Sequence, residues 1–372
     1  MTSQADAQPN AQSSAPPAQP TDGRGQHTLR EIVSQPYKWR SAYEQLEARR
    51  DEIVSAWRNA QPQQMLVTGC GSTYYLAQTA AALFQSLTGI PARGVPASEI
   101  ALFPDQVLYR PESTLLLAIS RSGTTTETAA AIDKFRARGG KTVWGITCYP
   151  DTPVAQESDF VMLTEMAQEQ SIAQTLSFST MLFTAQGMAA LAGNHDITPL
   201  NTLPDACEDL IQATFGYATH WGTEPGIQRF FFLGSGLRYG MACEATLKMK
   251  EMSITLSEPF HFLEFRHGPK ALVDDKTMVV GLMGAEHFHH EAAVIAEMAE
   301  MGAKTVTIAP GKTKAGHVTV HLPGSVPAWT LPVMYLPVVQ AMAYARSMEK
   351  GLDPDNPRNL SAVVFLERAA LR

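Results

Sequence analysis

Cysteine is scarce in this chain, and the scarcity excludes two classes of protein. The four cysteines, Cys70, Cys148, Cys207 and Cys243, are widely separated and form no CxxC pair, so neither a disulfide scaffold nor a metal finger is expected. Their apolar surroundings fit reduced core thiols. Long apolar runs are missing too: none approaches the roughly 20 residues that span a bilayer. The N-terminus lacks the apolar core of a secretory signal. A cytoplasmic protein without a membrane partner is therefore expected. Basic excess is also lacking. Lys plus Arg number 29 against 36 for Asp plus Glu, a net charge of −7 that argues against a nucleic-acid partner. What the chain has in quantity is apolar residues, 45% of 372, enough for a substantial core and for two lobes of about 150 residues each.

The first residues, rich in Gln, Ala, Pro and Ser, cannot bury enough apolar surface to offset their ordering entropy, so a disordered tail is expected over 1–27. A first lobe with a helical arm is expected over 28–200 and a second lobe with a C-terminal segment over 201–372. The arm, Leu29 to Ala60, carries helical spacing interrupted at Pro36. Strands are expected at Met65–Thr68, Thr114–Ile119 and Thr142–Thr147, with helices at Tyr74–Leu87 and Thr126–Arg138. This alternation predicts an α/β fold with doubly wound parallel sheets. Asn194 to Gln228 reads as a connection containing helical turns. The pattern then restarts with strands at Arg229–Leu233, Met278–Met283, Lys304–Ile308 and Val318–Leu322, and helices from about Tyr239 to Leu256 and over Leu331–Glu349. Gly69-Cys70-Gly71 and Gly234-Ser235-Gly236 stand 165 residues apart, each between an apolar strand and a helix, so the two lobes read as an internal repeat.

The sharpest local signal is Ser120-Arg121-Ser122-Gly123-Thr124-Thr125-Thr126-Glu127-Thr128, between a buried strand and a helix. Backbone N–H groups and the helix dipole converge on an anion at such a place. Ser120, Ser122 and Thr125 add hydroxyl donors, and Arg121 belongs to the same loop. A plainer reading is a Ser/Thr-rich helix cap, with Thr124 or Thr125 capping. The corresponding place in the second lobe, Met283-Gly284-Ala285-Glu286-His287, has no hydroxyl donors. Gly69-Cys70-Gly71-Ser72-Thr73-Tyr74 has Tyr74 where a dinucleotide fingerprint needs its third glycine, so no nucleotide cofactor is expected. Ser72 and Thr73 are better placed as further phosphate donors.

On the helix after Gly236, Glu244, Lys248, Glu251 and Thr255 share one side, opposite Ala242, Ala245, Met249, Met252 and Leu256. A solvated face with ion pairs is the plain reading. A general base beside a lysine in a closed cleft is the functional one. His267 stands in a loop forced by Gly268-Pro269 and could exchange a proton near neutral pH. His287, His289 and His290 lack acid or Cys partners at metal-site spacing, so a surface helix start is expected there and no metal.

Taken together, Leu29-Arg-Glu-Ile-Val-Ser-Gln-Pro36, Gly69–Thr73, Ser120–Thr128, Glu244–Glu251 with Phe265–Pro269, and Asp355-Asn-Pro-Arg-Asn-Leu360 resemble the double-SIS sugar isomerases. The nearest likeness is to the isomerase part of glucosamine-6-phosphate synthase and to amino-sugar-6-phosphate deaminases. The resemblance implies that Thr73, Ser120, Ser122 and Thr125 hold a sugar phosphate and that Glu251 shuttles a proton between C1 and C2. It implies that Lys248 stabilises negative charge and that His267, from a neighbouring subunit of a homodimer, opens the sugar ring. Two departures shape the expectation. Thr2 follows Met1 where the synthase has its glutaminase cysteine, so ammonia from glutamine is not expected. Ala362 stands where the synthase has the lysine that forms a Schiff base with the keto sugar. Deamination of glucosamine 6-phosphate, or of a close epimer, fits both. The alternatives are an ammonia-dependent synthase or aldose–ketose isomerase, and a non-catalytic sugar-phosphate sensor.

Overall fold

A computed structural model describes residues 23–364 and 366–371. Most of the expected tail lies outside the described residues; its last two, Gln26 and His27, already begin a helix. The arm is α1 (Gln26–Ala48) and α2 (Arg50–Ala60). The first lobe follows as β1 (Gln64–Gly69), α3 (Ser72–Thr88), β2 (Ala92–Pro96), α4 (Ala97–Leu102), α5 (Pro104–Val107) and β3 (Thr114–Ser120). It continues with α6 (Thr126–Ala137), β4 (Thr142–Thr147), α7 (Pro153–Glu157), β5 (Phe160–Leu163) and α8 (Leu176–Ala192). The second lobe has α9 (Leu203–Gly222), β6 (Arg229–Gly234), α10 (Tyr239–Ser253), β7 (Leu256–Phe260) and β8 (Thr277–Leu282). It ends with α11 (Phe288–Glu300), β9 (Lys304–Pro310), β10 (Val318–Leu322) and α12 (Leu336–Glu349).

Both sheets are wholly parallel, in the orders β2-β1-β3-β4-β5 and β7-β6-β8-β9-β10. Position for position the two orders are the same, so the repeat read from the glycines is a repeat of topology. In each sheet the winding reverses between two neighbouring strands, β1 and β3 or β6 and β8, and ligands of open α/β sheets sit outside the carboxyl ends at that reversal. One hydrophobic core, drawing on α1, α3, α8, α9, α10 and α12, joins the inner faces of the two sheets. Helix α8 lies so deep in it that Leu176 to Leu191 are all buried.

Several expectations are revised. Pro36 does not interrupt α1, which runs through it. Proline leaves the Ile32 carbonyl without its helical N–H, and the Gln35 amide donates to that carbonyl at 2.8 Å instead. The 194–228 connection contains the 20-residue helix α9, which lies against α12. Helix α10 stops at Ser253, so Leu256 begins the edge strand β7 and is 76% exposed rather than on a buried helix face. The segment before Leu336 is 3-10 helix from Ala328 to Tyr335, with Pro332 inside. The strands not anticipated, β2, β5 and β7, all lie at sheet edges.

At its start α1 is held by the far end of the chain. Asp355 accepts the His27 and Thr28 N–H groups at 3.0 and 2.7 Å and the Thr28 hydroxyl at 2.6 Å, while Asp353 accepts Gly25 N–H at 3.0 Å. Those are N–H groups a helix start otherwise leaves orphaned.

Candidate active site

The hydroxyl-rich loop follows β3 at the reversal point of the first sheet. Gly123 adopts φ +66°, and a Cβ there would lie 2.0 Å from Thr152 Oγ1, so only glycine lets the loop fold this tightly. Ser120 Oγ accepts Gly123 N–H at 3.1 Å and donates to Thr125 Oγ1 at 3.3 Å. Ser122 Oγ lies 3.5 Å from Thr125 Oγ1 and accepts Thr124 N–H and its hydroxyl, both at 3.2 Å. Hydroxyl pairs normally close to about 2.7–2.8 Å. These long mutual contacts leave donors free for a stronger acceptor. The helix-cap reading fails at Thr125, which occupies the cap position of α6 but makes no capping bond with its side chain.

Beside the loop is a cleft of about 430 Å³ lined by Ser122, Thr124, Tyr149, Glu169, Gln170 and Ala362, among others. A slightly larger groove of about 470 Å³ between Asp196 and Pro327 has none of the loop hydroxyls. Chemistry, rather than volume, selects the cleft.

Arg121 does not present its guanidinium to the hydroxyls. It is buried and bonded to Glu169 Oε1 at 3.1 Å and to the carbonyls of Ser171, Ile172 and Ala362 at 3.3, 2.9 and 2.9 Å. It therefore acts as a strut between the loop, the wall of the cleft and the C-terminal segment. Glu169 in turn accepts the Thr175 and Ser177 N–H groups at 3.2 and 3.1 Å, capping α8. The cleft wall is also held from the arm, where Glu31 accepts Gln170 N–H at 2.6 Å. Burial, reinforced by the Glu169 charge, raises the Glu31 pKa.

Ser72 and Thr73 also revise their expected roles. The Thr73 hydroxyl closes its own turn, donating to Cys70 O and accepting Cys70 N–H, each at 2.9 Å. The Ser72 hydroxyl faces the other lobe. It donates to Glu244 Oε1 at 3.2 Å and accepts from Lys248 Nζ at 3.2 Å. Cys70 Sγ lies 3.6 Å from Thr128 Oγ1, so the loop after β1 touches the first turn of α6. Burial lifts the Cys70 thiol to about 11, which leaves it protonated and unreactive at neutral pH.

The polar face of α10 is therefore not solvated; it packs against α3. The side chains of Glu244 and Lys248 are fully buried and that of Glu251 is 14% exposed. Lys248 Nζ lies 3.2 Å from Glu244 Oε1 and bonds Glu251 as well. Burial opposes the Lys248 charge, but the two carboxylates outweigh it and raise its pKa. Burial pushes Glu244 up to about 8, with Lys248 pulling the other way. Its Oε2 has no partner among the described residues. A buried carboxylate short of one partner favours its protonated form. Glu244 was seen in the sequence as one of a polar stripe but given no role of its own. The signal was the small residues beside it: Gly240 brings α10 so close to α3 that a Cβ would meet Tyr75 O at 2.5 Å.

His267 is exposed. It follows a short 3-10 turn, Glu264–Arg266, on the exposed face of the second lobe. Among the described residues no group of three or more His, Cys, Asp or Glu is arranged to hold a metal, and no helix is long and apolar enough to cross a membrane.

Two like-wound parallel sheets, a hydroxyl-rich loop at the reversal of one and a buried acid–lysine group carried by the other define a two-lobed α/β protein. The chain belongs to the SIS domain family, whose pattern matches residues 60–192 and 227–325. It is 30% identical to glutamine–fructose-6-phosphate aminotransferase (isomerizing) from Pyrobaculum aerophilum over 91% of its length, and 29% identical to that from Chlamydia pneumoniae over 93%. It spans only 57% and 59% of those proteins. A crystal structure of glucosamine-6-phosphate deaminase from Thermotoga maritima matches 91% of this chain and 100% of its own, with TM-score 0.78 and 26% identity. Tagatose-6-phosphate ketose/aldose isomerase from Escherichia coli shares the fold with TM-score 0.82 at 23% identity, over 94% of this chain and 98% of its own. The chain is thus related to enzymes that isomerise or aminate sugar phosphates.

Proposed function

We propose that the protein is a hexosamine-6-phosphate deaminase/isomerase, converting glucosamine 6-phosphate to fructose 6-phosphate and ammonia. The phosphate would bind at Ser120, Ser122, Thr124 and Thr125 with the N–H groups opening α6. Glu251 would take the C2 proton of the open-chain sugar and return it at C1, leaving a C2 imine. Water then adds to the imine carbon, and the C–N bond breaks to give the ketone and ammonia. Lys248 would stabilise the oxyanion of the intermediate. His267 would open the ring from the partner subunit of a homodimer.

The observation that carries this reading is the Ser72–Lys248 bond. It ties the loop after β1, which touches the phosphate helix, to the buried Glu244–Lys248–Glu251 group. Ala362 supports deamination over synthesis: it lines the cleft beside Ser122, at the place of the family's Schiff-base lysine, and offers no amine. The likeness to the Thermotoga deaminase runs the same way.

The test is ammonia release from glucosamine 6-phosphate and its epimers. Glu251→Gln should lower kcat by about 10²–10⁴-fold while keeping the ligand-induced rise in melting temperature. Aldose–ketose exchange with no ammonia from any hexosamine 6-phosphate would favour the isomerase alternative. A melting shift without turnover of either kind would favour the sensor.

A further inference from the structure

The second lobe repeats the topology of the first, so the carboxyl ends of β6 and β8 form a second reversal point, equivalent to the one that carries the hydroxyl loop. That place is not vacant. Gly284, two residues past β8 as Ser122 is two past β3, donates its buried N–H to Glu291 Oε2 at 2.7 Å. Glu291 belongs to the first turn of α11 and is only 3% exposed. Its other oxygen takes Arg238 at 2.6 Å, from the loop after β6. Arg238 Nε is anchored on Leu282 O at 2.9 Å, the last residue of β8. A Cβ at Gly284 would fall 2.4 Å from the Arg238 guanidinium, so the glycine is what lets the cation lie against the loop. Beneath it, the buried Tyr335 hydroxyl donates to Met283 O at 2.5 Å. A carboxylate, a loop N–H and an arginine thus meet where an oxyanion would sit in a working lobe.

We propose that the second lobe holds an anion site whose occupant is built in. The Glu291 carboxylate stands in for a phosphoryl oxygen pair and Arg238 supplies the counter-charge. The consequence is one phosphorylated ligand per chain, although the fold offers two equivalent places. Removing the carboxylate frees Gly284 N–H and leaves the half-buried Arg238 without its anion, which should make the site take up a tetrahedral oxyanion such as inorganic phosphate or sulfate. The one-ligand stoichiometry rests on the proposed phosphate loop of the first lobe; the uncovering of the second site does not.

The experiment uses the full chain and inorganic phosphate as probe, read by calorimetry and by melting temperature. Wild type should bind one phosphate per chain. Glu291→Ala should bind two, and should melt lower than wild type without phosphate but recover most of the difference with it. Glu291→Ala combined with Ser122→Ala and Thr125→Ala should keep only the new site. Arg238→Met with Glu291→Met, which removes both charges, should show no second site. Two sites in wild type, or a Glu291→Ala protein with wild-type stoichiometry and no phosphate-dependent recovery, would overturn the proposal. If Glu291→Ala is obtained folded only in phosphate buffer, its melting temperature should fall as phosphate is dialysed out, and a melting temperature independent of phosphate would count against the idea. Loss of the wild-type site alone would sink the first-lobe reading and leave the second-lobe inference standing.

Discussion

Lys248 and Glu244 show how far a single side chain can depart from its usual setting. Read as members of a polar stripe, both belong to a solvated face; in the fold neither side chain has exposed surface. Burying a charge is tolerated only when it is partnered or neutralised. Lys248 is partnered by Glu251, Glu244 and Ser72, and Glu244 is driven toward its neutral form. Because the folded chain holds the Glu244 proton up to about pH 8, against an ordinary value of 4.5, its stabilising contribution is complete below about pH 4.5 and is lost as pH rises through about 8. Glu244→Gln stays neutral throughout. It should therefore flatten the fall in melting temperature between about pH 5 and about pH 9 relative to wild type. Lys248, its pKa raised, titrates above this window. Parallel melting curves for the two proteins would show that Glu244 is ionised in the fold.

Between elements, contact is set by close approach and by caps. Helices α3 and α10 meet across the lobes at Gly240, where a Cβ would lie 2.4 Å from Thr79 Oγ1. Gly240→Ala should cost about 1–3 kcal/mol in urea unfolding and, by shifting Lys248 from Ser72, lower turnover as well. Asp355→Ala removes the acceptor of two N–H groups and one hydroxyl at the start of α1 and should cost about 1–2 kcal/mol, measured the same way. The hydroxyl loop and its helix were legible because turn chemistry and capping are local. The central strands were legible as apolar runs. Strands β2, β5 and β7 were not, because edge strands are covered on fewer sides and their apolar pattern lapses: β7 is Leu-Ser-Glu-Pro-Phe with Leu256 exposed. Pro36 misled because the rescue of Ile32 O by the Gln35 side chain leaves no mark in a residue pattern.

At the scale of the molecule, labour is divided between two copies of one unit. The first lobe carries the open hydroxyl loop, the second carries the acid–lysine helix, and a shared core holds them in register. His267 is exposed on the second lobe, and the reading proposed above has it act on the site of a second copy. Mixing Glu251→Gln with His267→Asn protein under subunit exchange should restore activity that neither has alone. Failure of the mixture to regain any activity, with exchange verified, would place both residues in one subunit's work.

By itself the sequence determined the alternation of strand and helix, the repeat, the hydroxyl loop and the titratable residues on which the proposed chemistry rests, because each of these is written in local composition and spacing. Tertiary structure alone decided which polar residues are buried. It turned Ser72 toward Lys248, spent Arg121 on Glu169, and closed the second reversal point with Glu291. The reason is physical: a side chain's charge state and spare hydrogen bonds depend on what packs against it, and those neighbours come from segments as far apart as Ser72 and Lys248, 176 residues along the chain.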